Sequence, residues 1–159
     1  VVSIGSRAFQ YCEQLSSIEV PNSVREIGDE AFAKCDELTS ITIPGSIEVL
    51  GDDLFIGCYN LSEITVTGEG ENLKMVDGVL FFREMTRLIW CSRDKSGDYE
   101  TPHTVKTIDG RAFQSCRNLI SIAIPDSVTS IGNSAFSYSM LLLQLLFPSR
   151  SHRLKVVHF

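Results

Sequence analysis

Cysteine is the residue type in this 159-residue chain whose spacing most clearly raises the question of chemistry. Four of the five cysteines take one position of a repeating pattern, and they are Cys12, Cys35, Cys58 and Cys116. No pair has the two-residue spacing of a zinc motif and no histidine lies beside them, so we expect no metal site. Cysteine is often a small buried side chain. The pattern therefore predicts a column of buried thiols, with Cys91 outside it; disulfides would need partners in neighbouring units with suitable geometry.

The motifs that assemble common active sites are missing from the sequence. It contains no GxSxG, P-loop, HExxH or strand-associated GxGxxG pattern. Residues 68–71 are glycine-rich, but their acidic side chains would repel a phosphate group. Cys91 and His103 would make a nucleophile and its base only if the fold brought them together, which the sequence does not indicate. We therefore predict a protein that is not an enzyme and binds no cofactor.

The charge balance argues against nucleic acids and anionic membranes as partners. The chain has 20 acidic residues against 14 Lys and Arg, a formal net charge of −6, whereas both of these partners require clustered basic residues. The longest apolar run, residues 140–143, is far shorter than a membrane span. The sequence does not start with methionine, so the lack of a signal peptide at its start indicates nothing about compartment.

A 23-residue repeat governs most of the sequence, marked by prolines and by phenylalanines in the same register. The prolines are Pro21, Pro44, Pro102, Pro125 and Pro148, and the phenylalanines are Phe9, Phe32, Phe55, Phe113 and Phe136. Thr67 takes the proline place one unit after Pro44. Each unit has about eight apolar positions, which it can bury only against neighbouring units. The spacing therefore predicts a stack of repeats.

Each unit predicts one short strand and one tight turn. The Leu-x-x-Ile-x-Ile-Pro segment alternates apolar and polar residues with period two, as a strand does, and proline ends it. We interpret the Ala-Phe-x-x-Cys segment as a helical or 3₁₀ turn. Stacking then gives an α/β repeat fold, a right-handed solenoid with a parallel sheet of short strands on one face and short helical or 3₁₀ turns elsewhere.

The repeat pattern IPxSVxxIGxxAFxxCxxLxxIxIP resembles the BspA-type leucine-rich repeats of bacterial and protist proteins. Residues 124–136, IPDSVTSIGNSAF, are close to an ideal instance, and the resemblance covers at least residues 1–148. It implies a leucine-rich-repeat solenoid of about six coils. It also implies a protein-binding module of a cell-surface or secreted protein, with a protein ligand and a role in adhesion or in contact with host or matrix proteins. An intracellular protein-interaction scaffold is the alternative.

Residues 68–102 form an irregular unit, because Thr67 and Pro102 are 35 residues apart, 12 more than one repeat. Within it, two apolar runs flank the polar residues 83–86, which predicts a β-hairpin. The BspA-type family often has a similar hairpin between regular units. The hairpin holds Trp90, the only tryptophan of the chain. An exposed Trp90 would be a hot spot for a protein partner; the alternative is that the hairpin rings pack onto the solenoid.

The exposed side of the predicted sheet is the candidate partner-binding face. Side chains two and four residues before each proline place point away from the core, with Tyr99 inward so that the irregular unit keeps the register. These side chains are Ser17, Glu19, Ser40, Thr42, Glu63, Thr65, Asp98, Glu100, Ser121 and Ala123. We expect Glu63, Asp98 and Glu100, in the middle of the row, to attract a basic partner. A hard cation such as Ca²⁺ and a solvated acidic strip are the alternatives.

The predicted organisation is one solenoid domain over residues 1–159. It comprises regular repeats at 1–67, the irregular unit at 68–102, regular repeats at 102–148 and an atypical tail at 149–159. The chain starts inside a repeat, with Val1 in the place of Val24 and Ile4 in the place of Ile27. An uncapped solenoid exposes its core, so we expect a fragment of a longer array.

The tail at 149–159 fits no repeat position. It carries Arg150, Arg153 and Lys155 and no acidic residue. One nucleotide missing near the Pro148 codon would explain it, because restoring that nucleotide, with suitable synonymous codons, yields another Pro-x-Ser-Val unit ending in Phe. A natural divergent end is the alternative.

Overall fold

Short parallel strands form wherever the repeat places its alternating apolar residues. The computed structural model of the chain describes residues 2–68 and 72–139 and, for the backbone alone, two strands at 144–146 and 155–156. The chain divides into two compact units, Val1–Met75 and Val76–Phe159. In chain order the strands are β1 (Ser3–Ile4), β2 (Ser17–Glu19), β3 (Glu26–Ile27), β4 (Ser40–Pro44), β5 (Val49–Leu50), β6 (Glu63–Thr67), β7 (Leu73–Val76), β8 (Val79–Phe82), β9 (Arg87–Cys91), β10 (Ser96–Glu100), β11 (Thr107–Ile108), β12 (Asn118–Ala123), β13 (Ser130–Ile131), β14 (Gln144–Leu146) and β15 (Lys155–Val156).

The first unit is a β-solenoid in which each coil adds one strand to each of two parallel sheets. The sheets have the orders β1-β3-β5 and β2-β4-β6. In the second of these, Ile41 lies between Ile18 and Ile64, each 23 residues away, as the repeat predicts. In the other sheet Ile27 pairs with Leu50. This other sheet was not predicted, because strands of two residues are too short to show an alternation in the sequence.

The second unit repeats this construction and adds the predicted hairpin. One sheet has the parallel order β10-β12-β14. In the other sheet β9, β11, β13 and β15 are parallel neighbours, and Ile108 lies between Leu88 and Ile131. Strand β8 pairs with β9 in antiparallel fashion, which confirms the hairpin around residues 83–86. Strand β9 is thus both an arm of the hairpin and a regular member of the parallel sheet.

The Ala-Phe-x-x-Cys segments are runs of tight turns. The described residues contain no helix, so the expected helical or 3₁₀ turns are not confirmed, and no element there is a helix able to cross a membrane. In the first coil the N–H of Gln10 donates to the Arg7 carbonyl at 3.0 Å, whereas the N–H of Phe9 donates to Ala31 of the next coil at 2.8 Å. The φ angles of Arg7 and Tyr11 are +60° and +63°. These left-handed residues interrupt a helix, and bonds between coils satisfy the backbone instead.

Stacked phenylalanine rings lie at the centre of each unit. Phe9 stacks on Phe32 with ring centroids 5.5 Å apart and planes 8° apart, and Phe55 lies on the other side of Phe32 at 6.0 Å. In the second unit Phe113 stacks on Phe136 at 5.4 Å. Phe32 and Phe113 are fully buried, and burial of each side chain contributes about 1.5–3 kcal/mol. The column of phenylalanines predicted from the repeat is therefore a structural column.

A glycine precedes several of the tight turns because neighbouring coils approach closely there. A Cβ on Gly51 would lie 2.3 Å from the amide nitrogen of Asp29. A Cβ on Gly132 would lie 2.2 Å from the amide nitrogen of Gly110. At Gly5, in the first coil, no atom lies within 4 Å of the same point. Glycine thus permits the close stacking of coils at this position. The strain that a larger residue would cause there depends on how closely the preceding coil approaches.

The hairpin packs into the second unit. All four residues of β8 are buried, and so are four of the five residues of β9. Trp90 has 8% of its surface exposed. The interpretation of Trp90 as an exposed hot spot is therefore not supported, and the packing alternative describes its position. Residues 88–91 are all buried, and because successive side chains of a strand point to opposite faces, both faces of β9 are covered.

The end of the chain is described only at two strands. Strand β14 continues its sheet in the 23-residue register, with Gln144 opposite Ser121. Strand β15 lies beside β13, with Val156 opposite Ile131. The remainder of residues 140–159, with Arg150 and Arg153 of the predicted tail, lies outside the described residues. The missing-nucleotide hypothesis therefore stays a prediction.

Candidate protein-binding face

The outward side of β2, β4 and β6 carries the side chains predicted for it. On β6, Glu63 and Thr65 are exposed and Ile64 between them is buried. On β4, Ser40 and Thr42 are partly exposed on either side of a buried isoleucine. We call this surface the first face, and its members are Ser17, Glu19, Ser40, Thr42, Glu63 and Thr65.

Strand pairing arranges the first face in two columns. One column is Ser17, Ser40 and Glu63, and the other is Glu19, Thr42 and Thr65. Neighbouring strands are about 4.8 Å apart, so each column spans roughly 10 Å. Glu63 ends one column on β6 and Glu19 begins the other on β2. The two carboxylates therefore lie at diagonally opposite corners, with hydroxyl groups between them.

A second face lies on β10 and β12 of the second unit. Its members are Asp98, Glu100, Ser121 and Ala123, and strand pairing sets Asp98 opposite Ser121 and Glu100 opposite Ala123. Asp98 and Glu100 are exposed, whereas Tyr99 between them is partly buried and turned to the core, as predicted. The Ser121 hydroxyl donates a hydrogen bond to the Asp98 carboxylate. This contact fixes the side-chain direction of Asp98.

The predicted acidic middle of the row is divided between the two units. Glu63 lies on the first face and Asp98 and Glu100 lie on the second, on strands of different sheets. Within residues 2–68 and 72–139, no three His, Cys, Asp or Glu side chains are grouped so that they could hold a metal ion. Glu100 Oε1 lies 4.0 Å from His103 Nε2, and both side chains are highly exposed. Protonated His103 would therefore form a weak surface ion pair with Glu100.

Ile120 is an exposed apolar residue beside the second face that sequence reasoning missed. It is 48% exposed and directly precedes Ser121. The pairing of β10 with β12 shifts here, since Gly97 pairs with Leu119 but Asp98 pairs with Ser121. Ile120 is thus the extra residue of a β-bulge. The same repeat position holds Ser16, Thr39 and Ser62 in the first unit. The available sequence signal for this exposed side chain was an isoleucine at a repeat position that holds Ser or Thr in the first unit.

The predicted cysteine column supplies buried hydrogen-bond donors. None of the five cysteines forms a disulfide in this structure, and all except the partly buried Cys12 are buried. The Cys58 thiol donates to the Phe32 carbonyl of the preceding coil at 3.0 Å. Ser139, which replaces cysteine in the last described coil, donates its hydroxyl to the Phe113 carbonyl at 2.7 Å. The column therefore has a structural role in joining coils.

Cys91 and His103 do not form the nucleophile and base considered from the sequence. Cys91 is 1% exposed, and its thiol donates to the Ser92 carbonyl at 3.5 Å. The His103 side chain is 83% exposed and lies beside Glu100. A buried sulfur and an imidazole in solvent cannot exchange a proton directly.

Two bidentate ion pairs join neighbouring coils away from the two faces. Arg7 Nε and Nη2 donate to Glu30 at 3.1 Å each. Arg87 Nε and Nη2 donate to Asp109 at 2.8 and 2.7 Å, with both side chains largely buried. The hydrogen bond from Arg7 lowers the pKa of the Glu30 carboxyl. These ion pairs join neighbouring coils. Their charged groups are already paired with each other, so they are not part of the candidate binding faces.

Known proteins resemble this chain over nearly all of its length. A leucine rich cell surface protein from Faecalibacterium prausnitzii is 33% identical, with a TM-score of 0.81 over 92% of this chain and 39% of its own. The pneumococcal vaccine antigen PcpA is 27% identical, with a TM-score of 0.73 over 92% of this chain and 42% of its own. A leucine-rich repeat protein from Eubacterium ventriosum, 23% identical with a TM-score of 0.58 over 94% of this chain and 58% of its own, has the same fold. No curated protein matches the sequence.

The chain spans about two-fifths of the length of the first two structures. The family model of the BspA type leucine rich repeat region matches residues 1–88 and 91–159 in six copies. This match follows the coils described above and confirms the resemblance seen in the repeat pattern. Because it extends over nearly every residue, the chain belongs to the BspA-type leucine-rich-repeat family.

Proposed function

We propose that this chain is a protein-binding module of a cell-surface or secreted leucine-rich-repeat protein, with a role in adhesion or in contact with host or matrix proteins. The observation that carries the proposal is the register of the two faces, where polar side chains of successive strands line up. Such a row suits the flat or extended surface of a protein, whereas small molecules and enzyme substrates are bound in cavities. Membership of a repeat family supports binding over catalysis.

The second face favours a basic segment of a partner protein. Asp98 and Glu100 are exposed on one strand with one residue between them, which places their α-carbons about 7 Å apart. Ile120 adds an exposed apolar side chain on the neighbouring strand. Carboxylates beside an apolar contact match a partner that presents Lys or Arg next to an apolar side chain. On the first face, Glu19 and Glu63 would add weaker attraction at its corners.

The surface location is supported by two relatives. The protein from F. prausnitzii is described as a leucine rich cell surface protein, and PcpA as a vaccine antigen. Their greater length also supports the proposal that this solenoid is part of a longer array. An intracellular interaction scaffold built on the same repeats is the alternative.

The binding proposal is tested by selecting peptides from a phage-displayed random library on the purified chain. We expect the enriched peptides to be basic and to bind the Asp98→Lys/Glu100→Lys variant at least about tenfold more weakly. The matched control is Glu13→Lys/Glu37→Lys, which makes the same charge change at exposed turn residues outside both faces. The assignment of the second face would be overturned if the selected peptides bound the Asp98→Lys/Glu100→Lys variant as tightly as the unaltered chain but no longer bound the Glu13→Lys/Glu37→Lys variant.

The location is tested separately by brief protease treatment of intact source cells. Release of peptides from this chain, identified by mass spectrometry, would support the surface proposal. Release only after lysis would support the intracellular scaffold.

A further inference from the structure

Cys91 occupies the repeat position that phenylalanine holds in the regular coils. The N–H of Phe113 donates to the carbonyl of Ala135 in the next coil at 2.8 Å. The N–H of Cys91 donates to the equivalent Ala112 carbonyl at the same distance. The ring that is missing at this position is replaced by Tyr99, whose centroid lies 5.9 Å from that of Phe113. The irregular unit therefore has a sulfur where the other coils have an aromatic ring.

This exchange brings two thiols of neighbouring coils together. In a regular coil the column cysteine donates to the carbonyl of the phenylalanine place one coil earlier, as Cys58 does to Phe32. Cys116 follows the same rule, and its Sγ lies 3.8 Å from the Cys91 carbonyl oxygen and 3.7 Å from that of Ser92. The Sγ of Cys91 lies 3.5 Å from the same Ser92 oxygen. Both thiols thus meet at one carbonyl group, and both side chains are at most 1% exposed.

The column cysteines of the first unit differ from this pair. Cys35 and Cys58 hold the same repeat position, so one is the translation of the other by about 4.8 Å, the distance between neighbouring strands. The Cys58 thiol forms a hydrogen bond with Cys35, but this translation sets their β-carbons about 4.8 Å apart, whereas the β-carbons of a disulfide are usually about 3.5–4.5 Å apart. Cys91 and Cys116 come from different repeat positions and are not related by this translation. Their sulfurs share one acceptor, the Ser92 carbonyl oxygen, whereas Cys35 and Cys58 donate to the carbonyls of Phe9 and Phe32.

We propose that Cys91 and Cys116 form a disulfide between neighbouring coils when the chain folds in an oxidising compartment. The reaction is thiol–disulfide exchange with a low-molecular-weight disulfide. One cysteine thiolate attacks that disulfide and releases one small thiol, and the other cysteine then attacks the mixed disulfide and releases the second. The two cysteines together lose two protons and two electrons, and the small disulfide becomes two thiols. The bond ties the hairpin-bearing coil to the coil that follows it.

Burial determines when the bond forms. A hydrogen bond with the Cys116 thiol, together with burial, raises the pKa of the Cys91 thiol. The thiolate that attacks a disulfide is therefore scarce in the folded reduced chain. While the chain folds, both sulfurs are accessible to solvent. We expect oxidation during refolding and very little in native reduced protein placed in the same buffer.

The test refolds the reduced chain from urea in a buffer of reduced and oxidised glutathione. The remaining thiols are alkylated with iodoacetamide, and the product is mapped by peptide mass spectrometry without reduction. Of the five cysteines, we expect three to be alkylated and the two others to be found in one cross-linked pair of peptides containing Cys91 and Cys116. The melting temperature should exceed that of the reduced protein by about 5–10 °C.

Two variants separate this bond from general oxidation. Cys91→Ser should leave Cys116 alkylated and remove the gain in melting temperature, whereas Cys12→Ser should change neither result. If Cys91→Ser fails to fold, the peptide map of the refolded unaltered chain still tests the proposal. A refolded product with native circular dichroism and five alkylated thiols, or with column cysteines linked instead, would overturn the proposal. The result is read on the chain alone, so it is independent of the partner-binding proposal.

Discussion

The thiol of Cys58 donates a hydrogen bond to the main-chain carbonyl of Phe32, 3.0 Å away in the preceding coil. Ser139 and Phe113 repeat this relationship in the second unit, with oxygen in place of sulfur. The column position therefore requires a small buried donor, and both Cys and Ser provide one. It connects the tight turn of one coil to the phenylalanine of the coil before it.

Replacement of Cys58 tests whether the donor matters. Cys58→Ala removes the donor and leaves a small cavity, and we expect it to lower the free energy of unfolding by about 1–3 kcal/mol. Cys58→Ser keeps a donor, and we expect a smaller loss. Urea unfolding followed by circular dichroism measures both variants. Equal losses would show that the volume of the side chain, and not its hydrogen bond, determines the residue at this position.

Gly51→Ala is expected to lower the free energy of unfolding by about 1–3 kcal/mol. The added Cβ would lie 2.3 Å from the backbone nitrogen of Asp29, so the two coils would have to move apart. Gly5→Ala is the matched control, because no atom lies within 4 Å of its added Cβ. Thermal unfolding of the two variants compares them. A similar loss at both positions would point to loop flexibility, and not to coil stacking, as the reason for glycine.

The repeat in the sequence carries enough information to place the long strands but not the short ones. Ile18, Ile41 and Ile64 pair in the predicted register because identical units stack in identical positions. Strand β3, Glu26–Ile27, has only two residues, and its extended form results from stacking against neighbouring coils. A segment of two residues is too short to show a periodic pattern of apolar and polar residues.

The candidate faces were predictable to a similar extent. The alternation on β6 placed Glu63 and Thr65 outward, because a strand turns successive side chains to opposite sides. The exposure of Ile120 follows from a bulge, which depends on the strand beside it and not on its own segment. The burial of Trp90 depends on the packing that covers both faces of β9, which the sequence of that strand alone does not show.

Thr101→Val is expected to raise the free energy of unfolding by about 1–2 kcal/mol. Thr101 is fully buried, and its hydroxyl oxygen has no hydrogen-bond partner. The same repeat position holds Val20, Ile43, Val66 and Ile124 in other coils, so valine fits the site. The reverse change, Val20→Thr, should lower the free energy by a similar amount. Urea unfolding measures both, and a loss of stability in Thr101→Val would show that the hydroxyl is satisfied in solution.

Above about pH 10, ionisation of Tyr99 should contribute to the fall in the free energy of unfolding with rising pH. Burial raises the pKa of Tyr99 above the ordinary tyrosine value, which is about 10. As the pH rises past that value, the unfolded chain loses this proton before the folded chain does. The unfolded state then binds fewer protons, and the free energy of unfolding falls as the pH increases.

Tyr99→Phe removes this proton, so the variant should lose less stability than the unaltered chain between about pH 8 and pH 11. Urea unfolding at a series of pH values gives the two slopes. Tyr59→Phe serves as the control at a tyrosine that is 52% exposed, and it should follow the slope of the unaltered chain. If Tyr99→Phe followed that slope too, Tyr99 would ionise as readily in the folded coil as in the unfolded chain, and its ring would not be held in the core beside Phe113.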